Sequence, residues 1–261
     1  MSAESSKSVL HRMDQVMSAI QEQRGQTLTE VCQRTGLPRT TVHRFLDSLV
    51  EMRWLSRVGN QYEFGVRMLE MGAGEEHWFF RLAQPELMEL HLRTRQTVHL
   101  TFLDGPDVVF WKKLSGREGA IIPTRFGGRR PAHLTASGKA ILAAGDPELL
   151  ADFSRHRLTQ ATPNSITTFE DLTAEIARVR REGLAHDRGE SWPEVGCIAR
   201  AVVAKPDGHT TVGTPMIAAI SISGPRERIQ ASARALESAL RSTCHAIETA
   251  AGRQVHRAYA S

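Results

Sequence analysis

Gly36-Leu-Pro38-Arg-Thr-Thr-Val42-His-Arg44-Phe-Leu46 is the stretch from which the amino-terminal architecture can be read. Pro38 fits the first position of a helix, where its missing N–H costs nothing. From there Val42, Phe45, Leu46, Leu49 and Val50 recur at i, i+3, i+4, i+7 and i+8, one apolar stripe on a helix. The opposite face carries Arg39, Thr40, Thr41, His43, Arg44 and Ser48. Upstream, Gly36 closes a shorter helix by entering a left-handed turn cheaply. That shorter helix opens at Thr27-Leu-Thr-Glu30, the pattern of a capping box, with Leu28, Val31 and Cys32 inward. Two short helices joined by a tight glycine turn, the second with a polar Arg/Thr/His face, follow the helix-turn-helix plan, whose second helix enters the major groove.

Further upstream, Val9, Met13, Val16 and Ile20 form one face of an amphipathic helix over residues 8–24, with Gly25 as its stop. Downstream, Trp54–Val58 and Tyr62–Phe64 read as two strands around Gly59-Asn60-Gln61, a hairpin placed as a wing. These residues alone also fit a helical hairpin whose outer face is merely solvated. Charge does not separate the readings. Residues 1–75 hold nine Lys/Arg and nine Asp/Glu. Only over residues 37–58 do Arg39, Arg44, Arg53 and Arg57 outnumber Asp47 and Glu51. Non-specific DNA affinity comes from phosphate neutralisation. A neutral unit therefore makes few phosphate contacts per subunit and depends on dimerisation.

The whole chain has 261 residues, enough for one or two domains, with 41% hydrophobic and 24% charged residues, as in globular proteins. No apolar run approaches the ~20 residues that span a bilayer, and Met1–Lys7 shows no apolar stretch with a cleavage site. Cys32, Cys197 and Cys244 lie far apart, which fits a reducing cytoplasm and neither a disulfide framework nor a zinc finger.

Residues 66–95 read as helical, interrupted by Gly72 and Gly74 and restarted by Pro85. Trp78-Phe-Phe80 is too apolar for a solvated linker and is expected to pack, either within the chain or against a second subunit. From Val98 the period changes to two. Val98–Leu103, a turn at Asp104–Asp107 and Val108–Trp111 make a hairpin. Helical patterns follow at 135–153 and at 168–182, where Phe169, Leu172, Ile176 and Val179 are inward and Gly183 is the stop. Strands are expected at 196–204 and 215–223, then a closing helix with Ile229, Ala233, Leu236, Leu240, Cys244 and Ile247. This alternation gives an α+β layout around an antiparallel sheet.

Three stretches of this part carry possible chemistry. In Arg129–Ala140, Thr135 or Ser137 can cap a helix, and the small residues Ala136, Ser137 and Gly138 leave backbone N–H groups open at its positive end, either as an anion site or as a plain capped start. The second stretch is His186-Asp187 through Cys197-Ile-Ala199. In the third, Ser221-Ile-Ser223, the strand period puts both hydroxyls on one face, toward either a polar ligand or neighbouring backbone.

Both halves resemble one family. Thr27–Val31, Gly36–Leu46 and Tyr62-Glu-Phe-Gly65 look like the DNA-binding domain of IclR-type bacterial transcriptional regulators. Pro131-Ala-His-Leu-Thr-Ala-Ser-Gly-Lys-Ala140, Thr162-Pro-Asn-Ser-Ile166, Arg181-Glu-Gly-Leu184, Gly196-Cys-Ile-Ala199 and Ile220–Pro225 resemble its effector-binding domain, which has a GAF-like fold. The resemblance implies that Arg39, Thr40, Thr41, His43 and Arg44 face DNA, with the wing at Arg57, Gly59 and Asn60 beside the backbone. It implies an effector held by the helix start at Ala136, Ser137 and Gly138, by Asp187 and Cys197, and by Ser221 and Ser223. There are departures. Asp187 is followed by Arg188-Gly-Glu190 and Trp192 where the family commonly has adjacent acidic residues, Arg200 interrupts the usual Cys-Ile-Ala-Ala-Pro-Val, and the 207–216 loop is longer. No particular family ligand is inherited.

The expected organisation is a winged helix-turn-helix domain over 1–75, a linker helix over 76–95 and an effector domain over 96–261. The expected function is a ligand-responsive cytoplasmic regulator that binds a double-stranded DNA operator as a homodimer, or as a dimer of dimers, and senses a small carboxylic acid, an aromatic or oxo/hydroxy acid among the candidates, without cofactor, metal or membrane. The alternative is a GAF-like enzyme or a metal-dependent sensor, in which Asp187, His133, Cys197 and Ser137 supply base and nucleophile. No spacing supports a triad, and neither Gly-x-Ser-x-Gly nor His-Glu-x-x-His occurs.

Overall fold

The computed structural model describes residues 8–23, 25–65, 67–68, 78–116, 122–204 and 216–258. The chain divides into two compact units at residues 77/78. The interruptions expected at Gly72 and Gly74, and most of the 207–216 loop, lie outside the described residues.

The first unit runs α1 (Val9–Glu22), β1 (Gln26–Thr27), α2 (Leu28–Thr35), α3 (Arg39–Glu51), β2 (Leu55–Val58) and β3 (Gln61–Phe64). Ser8 caps α1. The helix stops at Glu22, short of the expected Gly25, because Gln23 turns extended and leads into β1. The capping box forms in both directions: Glu30 N–H donates to Thr27 Oγ1, and Thr27 N–H donates to Glu30 Oε2 at 2.7 Å. Gly36, at φ 67°, ends α2. Pro38 stands one place earlier than expected, as N-cap, with its carbonyl taking the Val42 N–H. Val42, Leu46 and Leu49 close over Val16, Ile20, Val31, Leu55 and Tyr62. Each such buried side chain contributes ~1.5–3 kcal/mol by leaving water. The wing forms as expected, with Val58 opposite Gln61 across Gly59-Asn60. β1 was not foreseen; it pairs with β3 and makes a three-stranded sheet of order β1-β3-β2.

The second unit begins with α4 (Trp78–Thr94). Pro85 lies inside this helix and does not restart it. Then come β4 (Thr97–Asp104), β5 (Asp107–Leu114), β6 (Arg129–Pro131), a 3₁₀ turn (Ala132–Leu134), α5 (Ala136–Ala144), α6 (Pro147–Phe153), α7 (Phe169–Glu182), β7 (Ala185–Arg188), β8 (Val195–Ala204), β9 (Met216–Pro225), α8 (Arg226–Ala231) and α9 (Ala233–Ala258). The expected 135–153 helix is two, split at Gly145-Asp-Pro147, where proline restarts the chain at the first turn of α6. Phe169 is part exposed, not inward, while Leu172, Ile176 and Val179 are buried as expected. The closing helix is also two, broken at Ser232.

All six strands pair antiparallel in the order β6-β5-β4-β9-β8-β7. The sheet has an apolar layer on each side. Phe79, Leu87 and Leu90 of α4 and Leu240, Cys244 and Ile247 of α9 pack on Leu100, Ile198, Val202, Ile220 and Ile222. Ala136, Ala140 and Ile141 of α5 and Leu172 and Ile176 of α7 pack with Phe110, Ala199 and Ala219. Phe79 thus belongs to the chain's own core. Among the described residues, no helix is long and apolar enough to cross a membrane.

Candidate functional site

The outer face of α3 is the first site. Arg39, Thr40, His43 and Arg44 are exposed and Thr41 is half-buried. Two are tethered. Arg39 Nη1 donates to Thr29 Oγ1 of α2 at 3.2 Å, and His43 Nδ1 lies 2.8 Å from Asp47 Oδ2, one turn on. Arg44 has no hydrogen bond or ion pair among the described residues. On the wing, Arg57 Nε donates to the Gly59 carbonyl at 3.1 Å and its guanidinium lies over the Tyr62 ring, while Asn60 is exposed at the tip.

The second site is built by strand register. Period two and antiparallel pairing line up Thr97 of β4, Ser223 of β9, Cys197 of β8 and Asp187 of β7 as neighbours in one row across the sheet. The adjacent row on the same face is Lys113, His99, Ser221, Ala199 and Ala185. So Ser221, Ser223, Cys197 and Asp187 come together, and Ala185, Ala199 and Ala219 leave the face shallow beneath α5. Ser223 Oγ donates to Cys197 Sγ at 3.2 Å. Burial pushes the Cys197 thiol up to about 12, so it stays protonated.

Asp187 Oδ1 receives the N–H groups of Gly189, Glu190 and Ser191, at 3.0, 2.6 and 3.4 Å. Even so its pKa rises to about 6, first through burial and then through the charge of Glu190. Thr135, not Ser137, caps α5, its Oγ1 accepting from Gly138 N–H at 2.9 Å. The N–H groups of Ala136 and Ser137 belong to the first turn and have no intrahelical acceptor. Gly138 is required where it stands, since a Cβ would collide with the backbone of Ala132.

A cavity of about 420 Å³ is bounded by Phe110, Pro123, Thr124, Arg125, Arg130 and Trp192. His99 joins it to the serine row: Nε2 lies 2.8 Å from Thr124 Oγ1 and its ring lies against Phe110. Burial first, and Lys113 second, lower the His99 pKa to about 3, so the imidazole is neutral, and its buried Nδ1 has no hydrogen-bond partner among the described residues. Arg130 stacks over Trp192 with its guanidinium 4.2 Å from the ring centre, and donates to Ser191 Oγ and the Ser191 carbonyl at 3.0 and 2.7 Å. His99, Thr124, Arg130 and Trp192 were not singled out from sequence as ligand-facing. For His99 a signal existed. Thr97, His99 and Thr101 alternate with Val98, Leu100 and Phe102, a strand whose polar face is buried.

The residues weighed as base and nucleophile in the alternative reading do not come together around His133. His133 Nε2 lies 2.9 Å from the Thr159 carbonyl, and neither Cys197 nor Ser137 hydrogen-bonds to it among the described residues. No group of three or more His, Cys, Asp or Glu among the described residues is placed to hold a metal.

Comparison with known proteins bears on both units. The profile of the IclR helix-turn-helix domain matches residues 6–59, and that of the bacterial transcriptional regulator IclR C-terminal region matches residues 75–249. The chain belongs to the IclR family. It is a DNA-binding transcriptional regulator with a carboxy-terminal effector domain. The HTH-type transcriptional regulator KdgR of Dickeya chrysanthemi is 30% identical over 218 residues, 82% of this chain and 69% of that one. XynR of Escherichia coli K12 is 31% identical over 200 residues, 73% of this chain and 78% of that one. An IclR homolog from Microbacterium hydrocarbonoxydans, solved in complex with 4-hydroxybenzoate, superposes with a TM-score of 0.81 at 26% identity, covering 94% of this chain and all of that one.

Proposed function

We propose that this regulator senses a small hydroxy- or oxo-acid, aromatic in its body, in the cavity bounded by Phe110, Thr124, Arg130 and Trp192. The observation that carries this reading is that buried His99, in one row with Ser221, reaches Thr124 on the wall of that cavity at 2.8 Å. Phe110, Pro123 and Trp192 offer flat apolar walls to a ring. Arg125 and Arg130 bring positive charge to the rim, and the α5 start adds backbone donors that suit a carboxylate. Neutral His99, Ser221 and Ser223 suit a hydroxyl or oxo group. The 4-hydroxybenzoate complex of the homolog is consistent with this ligand class.

The unit acts by binding, not turnover: a buried thiol at about 12 is a poor nucleophile, and His133 is engaged elsewhere. Arg39, Thr40, Thr41, His43 and Arg44 read the operator, with Arg57 and Asn60 of the wing at the backbone. The working organisation is a DNA-binding domain over 1–75, a connector over 76–95 and an effector domain over 96–261, assembled at least as a homodimer in the cytoplasm. A ligand changes operator affinity only by binding two states differently.

Thermal-shift screening of organic acids tests the reading. A hydroxy- or oxo-acid is expected to raise the melting temperature of the wild type in a concentration-dependent way, following RT ln(1 + [L]/Kd), and to lose that effect in Ser221→Ala/Ser223→Ala. If only amines or neutral compounds stabilise the protein, the acid assignment is wrong.

A further inference from the structure

The face of the sheet opposite the polar rows carries a second hollow, of about 400 Å³, under the edge strand β7. Along β7 the side chains alternate. Ala185 and Asp187 share the face of the effector rows, while His186, opposite Ile198, and Arg188, opposite Gly196, share the face of α8 and α9. Gly196 and Ile198 form the floor of the hollow, and Ile229 and Ala233 form a wall. The strand and α8 approach closely at Gly196, where a Cβ would lie 3.0 Å from Arg226 Cα.

One end of this apolar trough is cationic. Arg188 and Arg226 both border it, and neither is in an ion pair among the described residues. The Arg226 guanidinium lies beside Gly189, next along the chain from Arg188: a Cβ on Gly189 would sit 3.2 Å from Arg226 Nη1. Two arginines thus border a hollow whose lining glutamates each already face another cation, Glu182 with Arg178 and Glu237 with His186. Guanidinium pairs of this kind suit a carboxylate, which they bind with charge-assisted, often bidentate hydrogen bonds. The far end is closed by His186 and Glu237, whose Nε2 and Oε1 lie 3.5 Å apart, so a second anionic group is unwelcome there.

We infer that this trough is a second small-molecule site, which takes an organic monocarboxylate with an apolar body, its carboxylate held by Arg188 and Arg226 and its body lying on Ile198, Ile229 and Ala233. The hollow lies on the other side of β7 from the proposed effector cavity, and Asp187 and Cys197 of the effector rows border it as well. A ligand that fixes Arg188 fixes the residue next to Asp187, and through the same strand pair it bears on Cys197. The two sites are therefore thermodynamically coupled, and the coupling is reciprocal.

Calorimetric titration of the full chain with octanoate, and with octylamine as the cationic control, tests the inference. Octanoate is expected to bind once per chain and octylamine not at all. Arg188→Gln/Arg226→Gln is expected to weaken octanoate by about tenfold or more, and Ser221→Ala/Ser223→Ala to leave it unchanged. Ala233→Trp, which keeps both arginines and fills the wall, is expected to abolish binding, and it carries the decision if the double arginine variant fails to fold. Absence of octanoate binding, equal binding of octylamine, or loss of octanoate binding in the serine pair with retention in the arginine pair each overturns the site.

Discussion

Lys139 Nζ, wholly buried in the first half of α5, donates to both carboxylate oxygens of Glu190, at 2.7 and 2.6 Å. Glu175 of α7 lies 3.6 Å from the same nitrogen and pairs with Arg178. The Arg178 hydrogen bond, followed by the pull of Lys139 and Arg178, holds Glu175 at about 2 despite its burial. The network ties the helix start at Ala136–Gly138 to the turn that cradles Asp187, so it fixes the distance between two walls of the proposed ligand site. Removing one partner leaves a buried charge with reduced compensation. Lys139→Met is expected to lower unfolding stability by about 3–5 kcal/mol, read from denaturant melts of the effector domain signal. Unchanged stability would mean that the pair is hydrated and not structural.

Asp187 titrates where physiology can reach it. Its unfolded value is 3.8 and its folded value about 6, raised by burial and by Glu190. The folded chain therefore binds the proton more tightly than the unfolded chain. The sign follows: this group favours the folded state most below about pH 4, and that contribution is lost as pH rises through about 6. Asp187→Asn keeps an acceptor for the three N–H groups and removes the charge. It is expected to flatten the pH 4–6 stability profile and to stabilise the protein at pH 7 by about 2–3 kcal/mol. An anionic ligand in the same site should bind more tightly at pH 5.5 than at pH 7.5 in the wild type and not in the variant. Calorimetry at the two pH values checks this.

Arg44 is the cleanest probe of the α3 face, because no intramolecular contact among the described residues competes for it. Arg44→Ala is expected to leave the melting temperature unchanged and to weaken operator binding. If Arg44 contacts phosphate, the salt slope of log K should fall by about 1, with loss spread evenly over sequences. If it contacts a base edge, the loss should be about 1–3 kcal/mol and concentrated at one position. Gel shifts at matched salt, with wild-type and point-mutated operators, separate the two. Arg39→Ala is less clean, since it also breaks the contact with Thr29.

The helix-turn-helix was legible because its determinants are local. A capping box, a left-handed glycine and an i, i+3, i+4 stripe each act within one or two turns. β1 was not, because Gln26 and Thr27 become a strand only through pairing with Tyr62 and Gln61, over 30 residues on. In the effector unit, Ser221 and Ser223 could be placed on one face by the strand period, but their row partners could not, since register is set between strands. The Lys139–Glu190 pair spans 51 residues, and Glu190 was noted in sequence only as a departure from a family pattern. For His99 the alternation of Thr97, His99 and Thr101 marks a polar strand face, but a histidine there is usually a satisfied core residue, and only the three-dimensional neighbours show an Nδ1 without a hydrogen-bond partner among the described residues.

Gly138 provides the last prediction, and it concerns the backbone alone. The residue lies in the first turn of α5 at φ compatible with any side chain, so conformational freedom is not what requires glycine. Contact is: an added Cβ would overlap the carbonyl oxygen, Cα and carbonyl carbon of Ala132. Backbone cannot move aside as a flexible side chain does, so either the 3₁₀ turn at Ala132–Leu134 or the α5 start must shift. Both outcomes displace the Ala136 and Ser137 N–H groups and strain the Thr135 cap, which itself is worth about 1 kcal/mol. Gly138→Ala is therefore expected to destabilise the effector domain by about 1–3 kcal/mol, the range for overpacking, and to abolish the ligand-induced thermal shift while the amino-terminal domain keeps its own fold. Proteolytic fragments and circular dichroism of the variant report on the first and last of these. Retention of a wild-type ligand shift would show that the α5 start is not part of the ligand's binding surface.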